Sequence, residues 1–146
     1  MTGCDLPDEI TSGADVRGNE YGWSISSFPD ALVKAKALGF ACIGGQFQFR
    51  LSEAICEMYW LAADPEERQS RETWFAYWER SCAEVLTGFE AILRETDFAS
   101  EASHLQFVRE TMEQGLNPLS KLVFVAYFVD EAEWTRSSDR RRANYP

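Results

Sequence analysis

The segment from Ala41 to Leu61 constrains the chain most, because two alternating apolar patterns flank a short polar break. In ACIGGQFQFRL, Ala41, Ile43, Phe47, Phe49 and Leu51 alternate with Cys42, Gln46, Gln48 and Arg50, as a half-buried strand requires. Beyond Ser52-Glu53-Ala54-Ile55 the alternation resumes, with Cys56, Met58 and Trp60 on one face and Glu57 and Tyr59 on the other. A slip of one residue would turn Phe47 and Phe49 outward, so parity decides which face is buried. Two registers satisfy that parity. One pairs Leu51 with Cys56 across a four-residue loop, and the other pairs Phe49 with Cys56 and leaves only Ser52-Glu53 for the turn. A two-residue hairpin turn favours Gly, Asn or Asp at positive φ, so the first register is expected. It sets Phe49 opposite Met58 and Phe47 opposite Trp60 inside, with Arg50 opposite Glu57 and Gln48 opposite Tyr59 outside.

The elements around this hairpin follow from periodicity and punctuation. Tyr21, Trp23 and Ile25 alternate with Gly22 and Ser24 and suggest a short strand. Ser27-Phe28-Pro29-Asp30 before an alanine-rich run, with Gly39 after it, marks a helix over 29–38. Asp64-Pro65-Glu66-Glu67 can open a helix or one helical turn. Over 71–95, Trp74, Trp78, Cys82, Val85, Phe89 and Ile92 recur at spacings of three and four, with Phe75, Leu86 and Leu93 widening the stripe; this is an amphipathic helix. A third helix is expected over 101–114, stopped by Gly115. LVFVAYFV, residues 122–129, is apolar throughout and suits a strand covered on both faces.

These elements define an α+β fold, an antiparallel sheet with helices packed on one face, in a split β-α-β-β-α-α-β order. Residues 20–134 form the expected domain, with 1–19 a flexible lead-in lacking periodicity and 135–146 a basic flexible tail. The last strand calls for cover on both faces while the hairpin's outer face is polar. The N-terminal segment, the tail or a partner must therefore cover part of the open face.

Charge narrows the partners. The chain carries a net charge of −10 at 146 residues, and before position 135 its 23 acidic residues face only 10 basic ones. Neutralising phosphates needs Lys and Arg, so nucleic acid and anionic membranes are not expected partners, whereas a basic protein is. No apolar run reaches membrane-spanning length, and the N-terminus MTGCDLPDEI lacks the basic and apolar regions of a signal peptide. A cytoplasmic location is expected.

Motif chemistry is sparse. Cys4, Cys42, Cys56 and Cys82 have no C-x-x-C spacing, and Cys56 and Cys82 fall on apolar faces as small buried hydrophobes. Gly44-Gly45 lies inside a strand pattern and lacks both the P-loop and the dinucleotide-binding spacing, which leaves a bulge or close backbone packing as its meaning. His104, the sole histidine, has no nucleophile motif around it. Asp130, Glu131 and Glu133 read as solvated loop acids, with cation binding the less favoured alternative. No catalytic residue, metal or cofactor is expected, and the chain is read as a non-enzyme.

The segments GGQFQFRL, CEMYWLAADPEER and ETWFAYWERS, together with size and acidity, resemble the immunity proteins that bacteria encode beside polymorphic toxins of contact-dependent and type VI systems. The resemblance covers residues 20–130 and implies a cytosolic protein that neutralises a cognate toxin, commonly a basic one, by direct binding. Outer hairpin residues Gln46, Gln48, Arg50, Glu57 and Tyr59 are the expected contact set, extended by Glu72 and Glu79 on the long helix. The alternative is a small-molecule-binding or regulatory domain with an aromatic pocket of Trp23, Trp60 and Trp74.

Overall fold

A computed structural model describes residues 6–144, with side chains through Ser137. Two short elements come first, the helix α1 (Asp8–Thr11) and the strand β1 (Asp15–Arg17). Strand β2 (Glu20–Ser24), helix α2 (Phe28–Ala37) and the hairpin strands β3 (Ala41–Arg50) and β4 (Ile55–Ala63) follow. Three helices then lead to the last strand: α3 (Trp74–Glu95), α4 (Phe98–Ser103) and α5 (Gln106–Glu113) precede β5 (Leu122–Val129), and α6 (Glu131–Asn144) ends the described chain.

Local chemistry sets most of these boundaries. Pro29 enters α2 in its first turn, and Gly39 at φ +77° leaves it. The Thr73 side chain accepts the Ala76 N–H to start α3, and Asp97 does the same for Ser100 in α4, each satisfying a donor that the first turn leaves open. The third helix expected over 101–114 is instead two, α4 and α5, broken at His104–Leu105. Asp64-Pro65-Glu66-Glu67 forms no helical turn and runs as irregular chain.

The strands form one antiparallel sheet in the order β1-β2-β5-β3-β4. The β2-α2-β3 unit encloses β5, and the unit running from β4 through α3–α5 to β5 encloses β3. The two units thus interleave, and the second strand of each is central. The α+β class and helical cover follow the sequence expectation. Residues 8–11 and 15–17 do not: read as structureless lead-in, they are helix and strand. The tail is helical through Asn144, while residues 1–5, including Cys4, and 145–146 lie outside the described residues.

The core lies between α2, α3 and one sheet face. Phe124 of β5 stands 4.5 Å from Phe28, 4.9 Å from Phe47 and 5.1 Å from Phe89, ring centre to ring centre. Trp23 meets Phe128 edge-on at 5.4 Å, and its indole N–H donates to the Ile10 carbonyl at 3.0 Å. The N-terminal helix is thereby tied to the core, which explains its order. A smaller cluster joins Ala41, Tyr77 and Val129 with Trp74, Trp78 and Trp134. Phe75, counted in the apolar stripe, is 61% exposed.

The hairpin adopts the other register. Arg50 pairs with Ile55, Phe49 with Cys56, Gln48 with Glu57 and Phe47 with Met58, and the Leu51 N–H donates to the Ala54 carbonyl at 2.8 Å. Ser52-Glu53 is therefore the turn, formed without any positive-φ non-glycine residue. Both registers keep Phe47 and Phe49 inside, so parity could not separate them. The tertiary structure does, by setting Met58 rather than Trp60 opposite Phe47 in the core.

Two irregularities then break the alternation. Cys42 pairs with Phe128 and Gly45 with Ala126, leaving Ile43 and Gly44 opposite Tyr127 alone. This bulge brings Cys42, rather than Ala41 or Ile43, onto the core side shared with Phe47. On β4, Ala62 pairs with Gln46 and Met58 with its neighbour Phe47, so Tyr59, Trp60 and Leu61 are looped out of the ladder. Trp60 consequently does not face Phe47; it is 48% exposed.

Candidate functional site

The open sheet face was expected to present Gln48 and Arg50, yet both are buried. The Arg50 guanidinium donates from Nη1 to the Asp15 carbonyl at 2.6 Å and to the Asp15 carboxylate at 3.1 Å. Arg17 Nη1 in turn donates to the Leu51 carbonyl at 2.6 Å. Two strands separate β1 from β3 in the sheet, a distance of about 14 Å at ordinary strand spacing. An arginine cannot bridge that across a flat sheet, so the β1–β2 edge curls over the open face and covers the end of β3. Gly22 makes room: a Cβ there would lie 3.1 Å from Arg50 Cζ and 2.9 Å from Val123 Cγ2. Arg50 Nε also donates to Gln48 Oε1 at 3.3 Å, and Gln48 Nε2 has no acceptor among the described residues.

What stays open is the half of that face beside β4. A shallow cleft of about 280 Å³ lies over the β3 bulge, lined by Gly44, Gly45, Gln46, Tyr59, Asp64 and Tyr127 among others. Gly44, at φ +132°, leaves the space that the Asp64 carboxylate occupies, since a Cβ there would collide with it. Tyr59 is 73% exposed and meets Trp60 edge to face at 5.1 Å. The Tyr127 hydroxyl donates to the Glu20 carboxylate. Burial, that hydrogen bond and the nearby Glu57 charge push its ionisation well above the usual tyrosine range, so the phenol stays protonated and keeps donating.

The expected contact residues therefore divide. Gln46 and Tyr59 line the cleft, and Glu57 is exposed on the same face. Gln48 and Arg50 are structural and lie beneath the β1–β2 edge. Glu72 is occupied: Arg80 donates to its carboxylate at 2.7 and 2.9 Å, and the Gln69 N–H at 3.0 Å. These bonds hold its pKa down to about 2. Arg80 also binds Glu84 and the Glu66 and Glu67 carbonyls, so the group fastens the 64–73 segment onto α3. Glu79 is exposed on α3, in the helical layer behind the sheet.

Sequence reasoning missed Asp64 and Tyr127, the first read as a helix cap and the second hidden in an all-apolar run. The available signal was Gly44-Gly45, which marks both the bulge and the cleft floor. The aromatic pocket does not form as proposed: Trp23 is in the core, Trp60 is on the exposed edge strand, and Trp74 donates to the Gly39 carbonyl beside Trp134.

Other chemical candidates have structural places. His104 Nδ1 lies 2.7 Å from the Ser100 carbonyl and donates to it at the end of α4. Asp130 accepts the Glu133 N–H at 2.8 Å, and Glu133 pairs with Arg136. Cys42 and Cys82 are buried, and burial raises both thiol pKa values. Among the described residues no group of His, Cys, Asp and Glu is arranged to hold a metal, and no helix is long and apolar enough to cross a membrane.

Fold and surface together define an α+β protein with a half-covered antiparallel sheet and an aromatic, acidic edge. No family model, curated protein or solved structure matches the chain.

Proposed function

We propose that this chain is a cytoplasmic binding protein that neutralises a cognate bacterial toxin by direct contact, using the uncovered half of its sheet. The observation that carries this reading is the exposed Tyr59–Trp60 pair, looped out of the ladder on an edge strand next to Glu57 and the Asp64 cleft. Large aromatics cost free energy in water, and they are the commonest binding anchors when placed on a rigid element. The acidic surroundings suit a basic partner, chiefly by speeding encounter. The resemblance of GGQFQFRL, CEMYWLAADPEER and ETWFAYWERS to immunity proteins supplies the partner class.

Co-expression with the toxin domain encoded by the adjacent reading frame tests this. Wild type rescues growth, and Tyr59→Ala combined with Trp60→Ala loses rescue while melting as wild type does. Rescue that survives the double substitution moves the site elsewhere, and no rescue by wild type rejects the function.

A further inference from the structure

The cleft over the β3 bulge has a chemistry of its own. Its floor includes the backbone of Gly44 and Gly45, and the side chain that Gly44 lacks leaves the place taken by the Asp64 carboxylate. Its rim carries one carboxylate, Asp64, one amide, Gln46, and the rings of Tyr59 and Tyr127. Among the described residues, no side-chain hydrogen bond or ion pair engages Asp64, Gln46 or Tyr59. Arg50 is held by Asp15, and no ion pair joins it to Asp64 among the described residues. Tyr127, kept protonated first by burial and then by its bond to Glu20, adds no charge, while Glu20 and Glu57 leave the neighbourhood acidic.

From this we infer that the cleft is a receptor for one arginine side chain presented by a basic protein partner, a deepening that rests on the toxin-binding reading. A guanidinium is planar, so it can stack on the Tyr59 ring while its N–H edge meets the Asp64 carboxylate and the Gln46 carbonyl oxygen. An ammonium lacks that stacking plane and uses the same acceptors less fully. Gly44 is what makes the receptor, because a Cβ there would push the Asp64 carboxylate out of its place on the floor.

The test uses the full chain and N-acetyl-arginine N-methylamide as the probe, followed by amide NMR, with the citrulline analogue as a neutral isostere. The arginine probe shifts the amides of Gly44, Gly45 and Gln46, and the citrulline analogue does not. Asp64→Asn weakens probe binding about three- to fivefold, the upper range for an exposed ion pair. Tyr59→Leu weakens it about two- to fivefold through loss of the ring face. The same spectra report whether each variant is folded. Shifts scattered away from the bulge, equal binding of the citrulline analogue, or unchanged affinity in folded Asp64→Asn would overturn the inference. The two proposals fail separately. A toxin that binds wild type and Asp64→Asn equally, but not the Tyr59→Ala, Trp60→Ala variant, removes the arginine receptor and leaves the toxin reading. Probe binding at the bulge without rescue does the reverse.

Discussion

Arg50 and Asp15 lie 35 positions apart in sequence and two intervening strands apart in the sheet, yet Arg50 Nη1 contacts both the carbonyl and the carboxylate of Asp15. This contact folds the N-terminal edge over the open face and confines the exposed part of the sheet to the β4 side. A buried guanidinium needs its donors satisfied, and here main-chain carbonyls of Asp15 and Glu20 supply part of that satisfaction.

Arg50→Ala should lower stability by about 2–3 kcal/mol, since hydrogen bonds made by a charged group are worth about 1.5–3 kcal/mol and the Arg50 side chain itself is buried. Asp15→Asn keeps the carbonyl contact and its side chain is half exposed, so about 1 kcal/mol or less is expected. Urea denaturation checks both, and limited proteolysis of Arg50→Ala should cut first within residues 12–19. An unchanged midpoint for Arg50→Ala would show that the β1–β2 edge is held by something else.

Glycine substitutions separate close packing from backbone preference. A Cβ at Gly45 would sit 2.6 Å from the Val125 carbonyl and 2.7 Å from Phe124 Cζ, both on the central strand β5. Overpacking of that kind costs about 1–3 kcal/mol or more. Gly39→Ala meets no atom and strains only its φ of +77°, at about 1–2 kcal/mol. Thermal melts should rank Gly45→Ala as the more damaging, and the opposite ranking would contradict the packing of β3 on β5.

On α3 the apolar stripe should show graded sensitivity. Phe89 is 1% exposed within the phenylalanine cluster, and its truncation to Ala should cost about 3–5 kcal/mol. Phe75→Ala, at 61% exposure, should change stability by about 0.5 kcal/mol or less. Trp78, half-buried against Phe75, should fall between them. Equal losses at Phe75 and Phe89 would mean that the helix is rotated.

Acid titration should expose the Glu72–Arg80 bond. The folded pKa of Glu72 is lowered from 4.5 to about 2, first by the Arg80 hydrogen bond and then by the Gln69 N–H. A depressed folded pKa contributes stability that is present above the unfolded value and disappears as pH falls through the folded one. Glu72→Gln should therefore flatten the pH dependence of stability between pH 4.5 and 2 and leave its slope near neutrality unchanged. A wild-type slope across the acid range in Glu72→Gln would remove Glu72 from that role.

The side-chain alternation of residues 47–58, the spacing of Val85 and Phe89 and the Pro29 and Gly39 boundaries of α2 were enough to determine an α+β fold and its buried faces, because each rests on interactions within a few residues. The amide and rings that line the cleft were equally visible as residue types. Their arrangement was not. Two registers share the parity of Phe47 and both bury Met58; the packed structure sets Met58 opposite Phe47 and leaves Trp60 48% exposed rather than inside. Arg50 looked like a solvent-facing partner of Glu57, but β1, which has no periodicity of its own, gains order only by pairing with β2 and accepting Arg50. The bulges at Ile43-Gly44 and Tyr59–Leu61 likewise arise where strands of unequal path must stay in contact with one shared core. Local pattern sets which side chains seek burial; the long-range fit of strands and helices decides which polar groups are buried with them and which aromatics are left outside.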